Sequence, residues 1–136
     1  MVILQPASVA LGTVELRSVE SVLINRTPNR LVVEHADLGP HATFVDVPER
    51  RVTVTLRRRV QEDEPPPAKP GDSVTLSFTT SESAASARAR RITANAVVTH
   101  VTHETGPHNA VTQTIVLIAF STDGVADPVV ETVIST

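Results

Sequence analysis

Apolar and polar positions alternate most regularly between Arg51 and Val60. Val52, Val54, Leu56 and Val60 share one face, and Arg51, Thr53, Thr55, Arg57 and Arg59 share the other. That is the period of a half-buried strand. Arg58 alone breaks the apolar face, which predicts either an uncovered patch or a strand that has run past the core as a protruding arm. Ser73 to Phe78 repeats the pattern, with Val74, Leu76 and Phe78 inward and Ser73, Thr75 and Ser77 outward. The simplest topology pairs these two runs antiparallel through a long, stiff connection.

Further strands are expected at Thr13–Leu16, Arg30–Glu34 and Phe44–Val47, where Gly39-Pro40 and Pro48 read as turns and breaks. Arg91–His103 and Val111–Phe120 flank a Gly-Pro turn and predict a hairpin. The second is apolar on both faces, as a central strand would be. Val116 and Ile118 are expected to be buried on one of its faces, and Ile115 and Leu117 against a second layer or a neighbouring subunit. "STDGVADP" (121–128) reads as a turn before a last strand at Val129–Ile134. Only Ser81–Arg90 has helical character, with a Ser cap, alanines and little apolar stripe. Ser18–Ile24 is ambiguous between helix and strand.

The connection is the sharpest contrast in the chain. "RVTVTLRRRV" gives way at once to "QEDEPPPAKPGD" (61–72), with three acids and then four prolines in six positions. An interdomain linker would leave halves of roughly 60 to 65 residues, near the lower limit for independent folding. One domain over 1–136 is therefore expected, with a protruding arm around 57–72. Val and Thr dominate, and β-branched residues favour strands. The fold class predicted is mainly β: an antiparallel β-sandwich or small β-barrel with an extended proline-rich loop or hairpin and at most one short helix.

Composition narrows the chemistry. A net charge of −3 argues against a dedicated nucleic-acid binder. Three Phe without Tyr or Trp cannot form stacking platforms for bases or sugars. The absence of cysteine removes disulfides and thiolate chemistry. The N-terminus lacks a basic stretch ahead of its apolar run, and Ile115–Phe120 is far short of a membrane span, so a soluble protein without membrane insertion is expected.

His100, His103 and His108 come nearest to a metal cluster. Residues three apart on a strand point to opposite faces, however, and no metal or other cofactor is expected. No nucleophile elbow, phosphate loop or carboxylate pair appears, so an enzyme is not expected. The clusters Arg57–Arg59 and Arg88, Arg90, Arg91 could contact phosphate. The neighbouring Glu62, Asp63 and Glu64 favour ion pairing instead, within the chain or with another subunit.

In order, these features resemble a known family. After a short β start come "VPERRVTVTLRRRV", a Pro- and acid-rich arm and "PGDSVTLSF", then "ITANAVVTHVTHE" and "VTQTIVLIAFSTDGVADPV". "NAVVTHVTHE" and "FSTDGVADPV" are the most suggestive pieces. This looks like the small tail tube proteins of tailed bacteriophages and the related tube protein of type VI secretion. A helix usually packs beside the barrel in such proteins, and here only 81–90 could supply it.

The resemblance implies a non-enzymatic subunit that joins edge to edge into hexameric rings. Rings would stack into a tube, with a loop or hairpin reaching the next ring and DNA passing through the lumen without sequence-specific binding. It also implies sheath, tape-measure, baseplate and tail terminator proteins as partners, and a place in the virion tail after assembly in the bacterial cytoplasm. Arg57, Arg58, Arg59, Glu62, Asp63, Glu64, Pro65, Pro66 and Pro67 are then the expected subunit interface. Another small tail component, a terminator or baseplate protein, remains open, as does a soluble β binding module using 61–72 as a ligand loop.

Overall fold

The structure, a computed structural model, describes residues 2–4, 6–37, 39–60, 67–80, 90–106 and 111–133. Among these there is no helix. The strands are β1 (Val2–Leu4), β2 (Ala7–Leu11), β3 (Val14–Glu15), β4 (Val19–His35), β5 (Ala42–Val60), β6 (Ser73–Thr79), β7 (Arg90–Thr105), β8 (Val111–Ala119) and β9 (Val129–Val133). The ambiguous 18–24 segment opens β4. Residues 81–89, the helix candidate, lie outside the described residues, and Arg90 begins β7.

All strands belong to one antiparallel sheet, in the order β1-β4-β5-β8-β7-β6-β2-β3, with β9 on β7. Chain connectivity forces this sheet to curl. Laid flat, the six strand spacings from β1 to β2 would separate them by about 29 Å. Leu4 and Ala7, only three residues apart, can be separated by about 10 Å at most. The short link from β3 to β4 imposes the same condition. The N-terminal segment thus pairs with β4, turns at Pro6, which has no N–H to offer a ladder, and pairs with β6 on the other lip.

The curled sheet encloses one core. Val22 and Ile24 of β4 and Val9 and Leu11 of β2, from opposite ends of the strand order, bury side chains in the same cluster as Leu56, Phe78, Val98 and Leu117. Inward positions are apolar because each strand alternates, so a single face supplies the whole interior.

Several expectations are corrected. The run 51–60 pairs with β4 and β8, and 73–79 with β7 and β2, so the two are not partners. The expected hairpin of β7 and β8 is present. Along β8 the enclosed side chains are Ile115 and Leu117, while Val116 and Ile118 are half-buried on the outer face. Pro48 does not end a strand: it sits in a bulge of β5, between Asp46, opposite Val32, and Glu49, opposite Arg30. A two-stranded ribbon tolerates this because its outward N–H groups have no ladder partner to lose.

β8 and β9 lie end to end along the same side of β7. Ala119 pairs with Ala96 and Val129 with Ala94, so residues 120–128 leave the ladder and return to it almost where they left.

Candidate interaction surfaces

β4 and β5 outrun the rest of the sheet. The last β5 residue paired with β8 is Val52, opposite Ala119, yet the β4–β5 ladder continues to His35 opposite Ala42. From Thr27 to His35 the ribbon advances about 27 Å with no third strand beside it among the described residues. Its described side chains are almost all exposed, among them Leu31 (53%), Val33 (45%), Phe44 (50%) and Val45 (60%). Val33 stands directly opposite Val45, and Leu31 shares their face by alternation. At the base, Arg51 donates to Asn29 Oδ1 at 2.6 Å, and Asn29 Nδ2 donates to Glu49 at 3.1 Å.

The sequence located this element only in pieces, as two short strands about a Gly39-Pro40 turn. Its signal was the loss of alternation into solvent-tolerant residues on both faces between Pro28 and Glu49.

The expected interface is divided by the structure. Arg57, Arg58 and Arg59 are not past the core; they lie in β5 between β4 and β8, opposite Thr114, Gln113 and Thr112. Arg58 is 3% exposed, which overturns its reading as the mark of an uncovered patch or of a strand that has run past the core. It faces inward beside Gln113, itself fully buried, whose amide Nε2 lies 2.8 Å from His103 Nε2. Two buried polar side chains, Arg58 and Gln113, with the exposed His103 beside Gln113, therefore stand at this end of the core, where the sequence showed only one misplaced arginine. Arg59 points outward and pairs with Glu20 at 2.6 Å, and Arg57 is exposed on the same outer face.

Glu62, Asp63, Glu64, Pro65 and Pro66 lie outside the described residues. Pro67 is half-buried and Ala68 joins the core, while Gly71 N–H donates to Val98 O at 2.7 Å. The C-terminal part of the 57–72 segment, from Pro67 on, is thus bound to β7 and the core.

His100 stands opposite Val116 and His103 opposite Gln113, on opposite faces of β7. His108 lies outside the described residues. Among the described residues no group of three or more potential ligands could hold a metal ion.

The 120–128 excursion is shaped by two aspartates. Asp123 Oδ1 accepts from Val125 N–H at 2.9 Å and Ala126 N–H at 3.0 Å, and these bonds, Ala126's first, lower its pKa from the usual 3.8. Asp127 accepts from Val129 N–H and pairs with Arg26 of β4 at 3.1 Å. Val125 is left 90% exposed at the loop tip.

Compared with models of known protein families the chain matches none, and no curated protein matches its sequence.

Proposed function

We propose that the chain is a structural subunit of a phage tail tube, or of a related injection tube, which self-assembles into stacked hexameric rings around a channel for DNA. The observation that carries this reading is the β4–β5 ribbon. Two strands alone are marginal in water, and a ribbon that exposes Leu31, Val33, Phe44 and Val45 gains stability when another chain covers it.

The sheet supports the same reading. β1 and β3 border an unladdered seam, and β9 pairs only with β7 among the described residues. Ring closure would use such edges, which a free monomer must otherwise protect. The partners of such a subunit are further copies of itself, together with sheath, tape-measure, baseplate and terminator proteins. The role is architectural and needs no catalytic residue.

Electron microscopy of the purified full chain over a range of concentration and salt tests this. Rings or tubes are expected at high concentration. Discrete small particles under every condition would overturn the reading in favour of a soluble binding module.

A further inference from the structure

β8 is apolar on both faces, the mark of a strand buried on both sides. Its inner face fills the core, but its outer face meets no second layer among the described residues. β9 lengthens that outer face. Because the 120–128 excursion returns to the line it left, the outward side chains Val116, Ile118, Phe120 and Val130 follow one another along β7. Ile118 stands opposite Val97, Phe120 N–H donates to Asn95 O at 2.9 Å, and Val130 stands opposite Thr93. At two residues per step the stripe is about 20 Å long. Val116 and Ile118 are half-buried, Phe120 and Val130 exposed, and Thr53 and Thr55 form one flank.

The charge around the stripe has one sign. Arg57 stands at one end, opposite Thr114, and Arg91 at the other, opposite Thr132. Arg51 follows Thr53 in the outward row of β5. No Asp or Glu occupies an outward position of β5 from Arg51 to Arg57, of β7 from Arg91 to Thr102, of β8 or of β9. Asp123 and Asp127 are engaged by N–H groups of their own loop and, for Asp127, by Arg26. An apolar centre with arginine at its rim and no carboxylate is the composition of a protein-binding surface.

The kind of occupant follows from what the stripe rejects. β5 and β7 take both ladder sides of β8, so no strand can add along it. An occupant must satisfy its own backbone, as a helix does. A second copy laid stripe to stripe would set Arg57 against Arg91, and among the described residues the chain has no helix to offer. The remaining segments are poorly matched: 81–89 has alanine as its only apolar type and adds Arg88, and 61–66 has no apolar side chain but proline.

We infer that the outer β8–β9 stripe is the docking site for an acidic amphipathic helix of another protein. A helix of about 14 residues spans it, with apolar side chains at i, i+4, i+7 and i+11 over Val116, Ile118, Phe120 and Val130. Its Asp or Glu side chains lie beside Arg51, Arg57 and Arg91. Charge selects the partner, and apolar cover holds it. The inference does not depend on association of the chain with itself.

Two helical peptides of about 14 residues test this, each with leucine at i, i+4, i+7 and i+11 and a hydrocarbon staple on the solvent side. One carries glutamate on both flanks and the other lysine. By fluorescence anisotropy against the full chain, kept monomeric by dilution, the glutamate peptide is expected to bind at least about tenfold more tightly. In the isotope-labelled chain its amide shifts should fall at Thr53, Ile118 and Val130 and spare Val9 and Leu11. R57E/R91E changes two exposed side chains, should keep the parent's circular dichroism, and should reverse the preference between the peptides. The peptide contrast and the shift map decide the matter even if that variant misfolds. Equal binding of the two peptides, no binding of either, or shifts confined to other strands would overturn the inference. A short DNA duplex that binds this face more tightly than the glutamate peptide would assign it to nucleic acid and overturn it as well.

Discussion

Leu117 and Ile118 are sequence neighbours of similar size, and the structure places them on opposite sides of one sheet. Leu117 is fully enclosed, between Val54 of β5 and Val98 of β7 in register, whereas Ile118 is half-exposed on the outer face between Thr53 and Val97. Truncation to Ala removes three carbons from either side chain. At about 0.8 kcal/mol for each buried methylene, transfer alone costs about 2.4 kcal/mol at Leu117, and a residual cavity raises the total to about 2.7–5 kcal/mol. Ile118, half in water and with no cavity to leave, should cost about 1.2 kcal/mol. An unfolding entropy near 2.1 cal/mol/K per residue makes 1 kcal/mol worth about 3.5 °C for this chain. Leu117→Ala should therefore lower Tm by about 9–17 °C and Ile118→Ala by about 4 °C. Thermal unfolding should be followed by circular dichroism at concentrations where the protein is monomeric. Equal losses at the two positions, or the larger loss at Ile118, would mean that the inner and outer faces of β8 are exchanged.

Ser18 holds φ at 58° while its carbonyl accepts from Arg59 N–H; a left-handed conformation costs a residue with a Cβ about 1–2 kcal/mol, so Ser18→Gly should stabilise by about 0.5–1 kcal/mol after the entropy of glycine is subtracted. A lower Tm in that variant would refute the strain argument. Because the pKa of Asp123 is lowered in the folded chain, its contribution is complete above about pH 3.8 and is lost as pH falls through the folded value. Hydrogen exchange at Val125 and Ala126 should accelerate, relative to Val98, in Asp123→Ala or on acidification, and unchanged protection would remove Asp123 from its role in shaping the loop. Replacing residues 61–66 with a Gly-Ser loop, while keeping Pro67–Pro70 because Ala68 is in the core, should preserve the β spectrum and stop assembly if Glu62, Asp63 and Glu64 pair with another subunit. Long tubes from that variant would reduce the segment to a solvated connection.

Local alternation was enough to read the class of fold. A strand needs only period two, and Arg51–Val60, Ser73–Phe78 and the β7–β8 hairpin carry it in full view. Gly-Pro, Asp-Gly and Asp-Pro placed the turns for the same local reason. Which strand neighbours which was not local. β5 and β6 are consecutive strands but not partners, because a curled sheet must bring β4 and β8 against β5 and β7 and β2 against β6. Nor could alternation say which face of β8 is enclosed, since Ile115 and Leu117 are as apolar as Val116 and Ile118, and only curvature chooses between them. Arg58 was visible as an anomaly but was assigned to the wrong cause: it is buried opposite the buried Gln113, which meets the exposed His103, across three strands whose register no single segment encodes. The ribbon was missed for a related reason. Pro28 and Pro48 break a strand inside a sheet, but they are tolerated where two strands stand alone, and that isolation exists only once β8 has ended at Ala119.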